Sequence, residues 1–497
     1  MEKSIIFYKL MNDSLKTTTA NGIIWSFIER YSVQFVQFLI TIVMARLLSP
    51  EAYGLVGMLA IFIAVSQIFI DGGFSSALIQ SSSRTDEDYS TVFYINLFIS
   101  ILLYIFLFVA SPFIAEFYHQ PILSQITRIY SLNLILNSLV AVNKTKMVIN
   151  VDFKTQSKVS FFAAIVSGIL GIICAYKGCG VWALVVQVLS AALFNVLLSF
   201  YYVRWFPQFV FSLTSFRKLF KFGSKLLVAQ IISAIYANIY TLVVGKKFSS
   251  ISLGYYTRAD QFGQFVGSNV SNILSRVSFP LLSKVQNDDE ELLSVYDKYI
   301  QLSAFIMFPM VLGLCGVSKP LILILLTEKW ICCASLLQIL CLAYLFNGIT
   351  TINLNILYAK GRSDLVLKLE VIKKMLAFTI LIVSLFFDLW IICIGQVVYS
   401  LIAFYLNTIY TKRILDYGFL KQMRILFPYL LLAFVILLEA LFSSRLIQNP
   451  YVSVFFSILL CTVTYVSGGF ILKLYAYNSI KNYIIQYFKK QGYEKKN

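Results

Sequence analysis

Charged side chains are scarce inside the apolar runs of this chain, and those that occur there carry the chemistry. Arg30, Arg128, Arg258 and Arg276 interrupt otherwise apolar stretches. A guanidinium is planar, permanently charged and forked, which suits it to phosphate oxygens. Inside a membrane such a group ordinarily faces the protein interior or a water-filled path. Arg30 lies roughly 14 Å along its segment from the nearer polar end, at ~1.5 Å per residue, deep enough to strain snorkelling. Arg30, Arg258 and Arg276 are therefore expected to hold an anionic, phosphorylated head group, with Arg30 pairing to Glu29 or Asp71 as the alternative. The carboxylates Glu29 and Asp71 are candidates for a coupling proton or sodium ion, ahead of Glu370 and Glu439 by position; a structural ion pair is the competing role.

Amides and hydroxyls recur around these charges at helical spacing. Ser26, Arg30, Gln34, Gln37 and Thr41 share one face, as do Gln67, Asp71 and Ser75, and as do Gln261, Gln264, Ser268 and Ser275. A weaker stripe runs through Gln230, Ser233, Asn238 and Thr241. Gln34, Gln37, Gln261 and Gln264 are thus expected to line a polar cavity with the arginines. Asn133, Asn137, Gln338 and Asn347 lie elsewhere, and any single amide can equally serve a bond between helices. The eight cysteines form no CxxC pair and the one histidine, His119, sits beside Pro121, so no metal site or cofactor is expected.

The elements that position these residues follow from composition. The chain is 59% hydrophobic and 13% charged, with mean hydropathy +0.80, well outside the range of soluble domains. In hydrocarbon every backbone donor and acceptor must be satisfied internally, which leaves helices or a closed barrel. Continuous runs such as Ile101 to Ala110 and Leu430 to Leu438 favour helices over the alternation of a barrel. Spans are expected near 20–45, 54–79, 91–115, 124–143, 159–176, 181–203, 223–245, 253–282, 298–317, 331–357, 365–387, 389–411, 425–442 and 451–473. The fold class is therefore an all-α integral membrane protein of about fourteen transmembrane helices. Leu213 to Leu227, with Phe216, Leu219 and Phe220 against Arg217, Lys218 and Lys221, reads either as an amphipathic surface helix or as an extension of the following span.

With a cytoplasmic N-terminus, 30 of the 41 Lys and Arg fall on the cytoplasmic side. Seven fall outside: Arg46, Lys177, Lys246, Lys247, Lys319, Lys329 and Arg445. The positive-inside rule then places both termini in the cytoplasm. The formal charge of +18 records orientation and attraction to anionic membrane lipid rather than nucleic acid. No polar stretch is long enough for an aqueous catalytic module, which points to transport rather than enzymology.

An internal repeat supports that direction. Ala45-Arg-Leu-Leu-Ser-Pro-Glu-Ala-Tyr-Gly54 aligns with Gly245-Lys-Lys-Phe-Ser-Ser-Ile-Ser-Leu-Gly254 at an offset of 200, and Trp182 recurs as Trp390. Helices 1–6 are thus expected to repeat as 7–12, giving an N-terminal lobe at 1–212, a C-terminal lobe at 213–413, and two appended helices with a basic tail at 414–497.

The first of these segments, with Asp71-Gly-Gly-Phe-Ser-Ser-Ala-Leu-Ile-Gln80, resembles bacterial polysaccharide flippases of the Wzx type. So do Gly178-Cys-Gly-Val-Trp-Ala-Leu-Val185, Leu253-Gly-Tyr-Tyr-Thr-Arg-Ala259, Arg276-Val-Ser-Phe-Pro-Leu-Leu-Ser-Lys-Val-Gln286 and Glu328-Lys-Trp330. The resemblance implies the multidrug/oligosaccharidyl-lipid/polysaccharide exporter fold, two six-helix lobes in a V shape with helices 1, 2, 7 and 8 around a cavity. It also implies alternating access, carrying undecaprenyl-pyrophosphate-linked repeat units from the cytoplasmic to the periplasmic leaflet of a bacterial inner membrane. A proton or sodium gradient and the polysaccharide polymerase and export machinery are the partners such a role brings. A multidrug or cation antiporter of the same fold is the first rival, expected to centre on a carboxylate-led aromatic pocket. A membrane glycan polymerase or ligase is the second, expected to carry a large outward loop.

Overall fold

The computed structural model describes residues 33–482, the Lys225 side chain excepted, and all regular structure among them is helical. The chain falls into two units, Met1–Gly254 and Tyr255–Asn497. The first holds α1 (Val33–Leu47), α2 (Pro50–Asp71), α3 (Phe74–Gln80), α4 (Asp86–Phe117), α5 (Ile122–Tyr130), α6 (Leu132–Ile149), α7 (Phe153–Tyr176), α8 (Val181–Val203) and α9 (Leu213–Lys247). Its last residues begin α10 (Ser250–Lys284), which continues into the second unit. There follow α11 (Asp289–Leu325), α12 (Ile331–Tyr344), α13 (Asn347–Ala359), α14 (Ser363–Ser384), α15 (Leu389–Leu415), α16 (Phe419–Leu446) and α17 (Pro450–Ile471).

Among the described residues, ten segments are long and apolar enough to cross a membrane by length and composition. Four more, α1, the α5–α6 pair, α10 and α14, bring the described set to fourteen, each overlapping an expected span. The chain is a multi-pass membrane protein. Phe98, Phe106 and Phe113 of α4 are exposed although wholly apolar, as expected where the surrounding solvent is hydrocarbon. Leu213 onward is one continuous helix into the seventh span, so the extension, not a separate surface helix, is realised. Its first turns are held by the apolar cluster of Phe74, Leu78, Val92, Phe93 and Leu219.

Four features recur in the two halves of the repeat. The third span opens on a capped, acidic turn, Thr85 with Asp88 in the first and Asp288 with Glu290 and Glu291 in the second. Its first-turn aspartate pairs with a lysine at the far end of the fourth span: Lys146 with Asp86 at 3.5 Å, and Lys360 with Asp289 at 2.6 Å. The fourth span itself is broken, at Ser131 between α5 and α6 and at Leu345 and Phe346 between α12 and α13. Positive φ marks matching turns: His119 and Thr327, Val151 and Gly361, Arg204 and Asp416, at spacings of 208, 210 and 212 residues. The duplicated pattern thus extends to local geometry that composition alone would not repeat.

Within the second unit a closed polar network ties four helices, α11, α13, α15 and α16. Tyr296 Oη donates to Asn353 Oδ1 at 2.6 Å, Asn353 Nδ2 to Gln422 Oε1 at 3.2 Å, and Gln422 Nε2 to Tyr296 Oη at 3.0 Å and Thr411 Oγ1 at 3.1 Å. All four residues are buried, and because each is satisfied the network rigidifies the bundle rather than destabilising it.

Candidate functional site

Helices α2 and α9 lie antiparallel in the first unit, and the backbone of α2 is met closely near both of its ends. Ser49 caps α2 by accepting from Ala52 N, and Ser249 Oγ accepts from Ser252 N in the same way at the start of α10. Just inside these caps, a Cβ on Gly54 would fall 1.7 Å from the Ser250 carbonyl oxygen, and one on Gly254 would fall 1.9 Å from that of Pro50. The repeated serines are therefore helix caps. The repeated glycines let two helix starts cross with nothing between them.

At the opposite end, Gly72 and Gly73 have φ of 52° and 73° and divide α2 from α3. A Cβ on Gly73 would lie 2.5 Å from the Gly223 carbonyl oxygen, and one on Gly223 would lie 2.5 Å from that of Gly72. Asp71 sits immediately before this break and accepts from Ser75 Oγ at 2.5 Å. The expected stripe of Gln67, Asp71 and Ser75 is thus not one straight face. Gln67 is engaged sideways, accepting from Asn137 Nδ2 at 3.4 Å.

Gln34 is half-buried and Gln37 exposed on α1. Glu29, Arg30 and Ser26 lie outside the described residues. On α9, Asn238 and Ser233 turn back to the carbonyls of Ala234 and Ala229, which leaves that stripe locally satisfied.

Helix α10 carries the densest set. Arg258 and Arg276 are separated by 18 residues, five full turns, so they stand on one face about 27 Å apart. Arg258 is half-buried and Arg276 exposed. One pyrophosphate cannot reach both. The two arginines therefore stand towards opposite ends of the helix, and Arg30, the third of the expected set, lies outside the described residues. Gln261 is exposed between them, and Gln264 Nε2 donates to Asp260 Oδ2 at 2.8 Å. Ser275 is drawn aside into a bond with Asn355, whose Nδ2 also donates to Ser278 Oγ at 3.0 Å.

Asp260 was not among the expected carboxylates. It accepts from Tyr344 Oη at 2.5 Å as well as from Gln264, and one turn earlier Tyr256 Oη accepts from Gln396 Nε2 at 2.8 Å. Asp260 thus lies about 15 Å along α10 from its start and is held by two neutral donors. The Asp260–Gln264 spacing of four was the available signal. Among the other described carboxylates, Glu370 pairs with Lys373, while Glu439 Oε1 accepts from Thr464 Oγ1 at 2.9 Å and its Oε2 is buried without a hydrogen-bond partner. Among the described residues no group of His, Cys, Asp and Glu could hold a metal ion.

Residues 43–335, which include both glycine contacts and all of α10, match the model of a family described as polysaccharide biosynthesis protein. The chain belongs to the polysaccharide biosynthesis protein family. It is 28% identical over 302 residues to the teichuronic acid biosynthesis protein TuaB of Bacillus subtilis, a match that takes in 60% of this chain and 62% of that one. It is 26% identical over 369 residues to the lipopolysaccharide biosynthesis protein WzxC of Escherichia coli, over 73% and 74% of the two chains. The succinoglycan biosynthesis transport protein ExoT of Rhizobium meliloti is 25% identical over 315 residues, 63% and 64% of the two. The chain thus spans less than two thirds of the length of TuaB and ExoT. Among solved structures it is similar to the lipid II flippase MurJ in an inward closed conformation, with TM-score 0.73 and 17% identity over 90% of this chain and 98% of that one. An inward-facing transporter of the multidrug resistance MATE family gives 0.57 and 14%, over 79% and 99%. These two establish the fold of the family member.

Proposed function

We propose that this polysaccharide biosynthesis protein is a flippase for lipid-linked oligosaccharide repeat units, a transporter and not an enzyme. Membership of the family across residues 43–335 carries this reading. It is supported by the named roles of its relatives in teichuronic acid, lipopolysaccharide and succinoglycan biosynthesis. The substrate is an undecaprenyl-pyrophosphate-linked unit moved from the cytoplasmic to the periplasmic leaflet of a bacterial inner membrane, with both termini cytoplasmic. Residues 1–212 and 213–413 act as the two lobes, and 414–497 as an appendage. Polysaccharide polymerase and export machinery receive the product.

Gln34, Gln37, Gln261 and Gln264 are assigned, with Arg30, to substrate binding in this role. Arg276, exposed near the more basic end of α10, captures the pyrophosphate on entry, and Arg258 receives it towards the exit. The decisive assay is flipping of lipid-linked sugars by the reconstituted protein. Transport of small cations with no flipping of any such lipid would reverse the ranking in favour of an antiporter. In that assay Arg276→Ala is expected to raise the half-saturating lipid concentration about tenfold with the maximal rate nearly kept, the loss of one charge-assisted contact on capture. Arg258→Ala is expected to lower the maximal rate with little change in half-saturation. Identical effects of the two would refute the two-station path.

Coupling to a proton or sodium gradient is assigned to Asp260 together with Glu29 and Asp71. Asp260→Asn keeps an acceptor for Tyr344 while removing the ionisable group. It is expected to leave flipping intact without a gradient and abolish its stimulation by an imposed one. Undiminished stimulation would exclude Asp260 and leave Glu29→Gln and Asp71→Asn to be tested in the same way.

A further inference from the structure

In the second unit, α11, α12, α16 and the α16–α17 turn line an open cavity of about 830 Å³. Ligand sites commonly occupy about 300–1,000 Å³. Two cations, Lys319 and Arg445, line it together with the amides of Gln338 and Gln448, and no carboxylate does. Both cations are exposed, and neither makes an ion pair or hydrogen bond among the described residues. On the charge count they are two of only seven cations on the sparser side of the membrane, so their meeting in one cavity runs against the general depletion there. Leu342, Leu437 and Leu441 supply an apolar part of the lining. Phe442 and Leu446 of α16 and Tyr451 and Val452 of α17 are exposed and apolar, as suits helices that face hydrocarbon.

We propose that this cavity is a binding site for an anionic phospholipid of the surrounding bilayer. Lys319 and Arg445 take the phosphate, which offers several acceptor oxygens to the guanidinium fork and the ammonium. Gln338 and Gln448 serve the glycerol and ester oxygens, and the leucine wall receives the first methylenes of an acyl chain. A soluble anion would leave that wall wet, and a zwitterionic lipid would bring its own cation against Lys319 and Arg445. The site depends only on the helices spanning a membrane. Its failure would leave the flippase reading untouched, and the reverse also holds.

The test uses the full-length protein in detergent, with phosphatidylglycerol, phosphatidylcholine and undecaprenyl phosphate as probes, read by native mass spectrometry and thermal melting. Phosphatidylglycerol is expected to bind and to raise the melting temperature, and phosphatidylcholine to do neither. The Lys319→Gln/Arg445→Gln double variant is expected to weaken phosphatidylglycerol binding at least about tenfold, the scale of one lost charge-assisted bond. The charge-keeping Lys319→Arg/Arg445→Lys variant is expected to restore it. Undiminished binding by the double variant overturns the proposal, as does displacement of phosphatidylglycerol by an equimolar amount of undecaprenyl phosphate, which would name the wrong lipid. If the double variant does not fold, a photoactivatable phosphatidylglycerol on the unaltered protein decides the matter. Labelling of α11, α12 and α16 near the cavity supports the site, and labelling confined to other helices overturns it.

Discussion

Gly54→Leu is expected to abolish surface glycan export while the protein still reaches the membrane. The new side chain would have to occupy space now held by the Ser250 carbonyl, 1.7 Å from its first carbon, and that neighbour is backbone, which cannot rotate away. Relief requires the starts of α2 and α10 to part. Overpacking of this kind costs about 1–3 kcal/mol, and ~2 kcal/mol displaces a two-state equilibrium about thirtyfold. In the proposed flipping cycle this contact opens and closes once, so the variant is held with that end open. Hydrogen exchange should rise across 46–58 and 246–256 and nowhere else. Normal glycan at normal protein level, with unchanged exchange in those segments, would refute a gating role for the contact. Gly54→Ala should give the milder form of the same defect.

Gly223→Leu should produce the opposite bias. Its backbone is ordinary helix, so strain from a left-handed conformation does not enter, and the obstacle is the Gly72 carbonyl oxygen 2.5 Å from the new Cβ. Parting this end frees the turn at Gly72 and Gly73 and with it Asp71. Exchange should therefore rise around 69–76 and 219–227 while 46–58 stays protected. Flipping should again be lost, because both ends must close in turn. Combining Gly54→Leu with Gly223→Leu should leave both segments exchanging and membrane insertion weakened. Exchange patterns that do not differ between the two single variants would show that α2 and α9 respond as one rigid pair.

Much of the architecture was legible because lipid imposes it. The expected span at 181–203 coincides with α8, and that at 389–411 begins where α15 begins. Apolar length and charge clusters suffice for such boundaries. The breaks in the fourth spans were not legible. Neither Ser131 nor Leu345 and Phe346 is a glycine or proline, and the turns rest on local bonds such as Leu345 N to the Leu342 carbonyl. The glycines of the repeat were visible as matches at 54 and 254, but their role required the partner backbone that approaches them.

The candidate site was legible in residue type more than in arrangement. Periodicity marks the polar face of α2, yet not that Asn137 waits beside Gln67. It puts Arg258 and Arg276 on one helix, but that they are too far apart to share a pyrophosphate holds only because α10 runs unbroken between them. Asp260 does not stand out between Arg258 and Gln261, because its value comes from Tyr344, 84 residues away.

The separation of the two arginines on α10 also bears on what drives the cycle. On the path proposed above, a head group passed between guanidinium stations keeps its negative charge throughout, instead of shedding it to cross hydrocarbon. With a bilayer negative on the cytoplasmic side, each elementary charge carried outward across the full membrane gains about 2.3 kcal/mol per 100 mV. On the proposed path the electrical potential then adds to any ion gradient acting through Asp260 in favouring outward movement of a pyrophosphate, and a bound counter-ion that travelled with it would diminish that contribution.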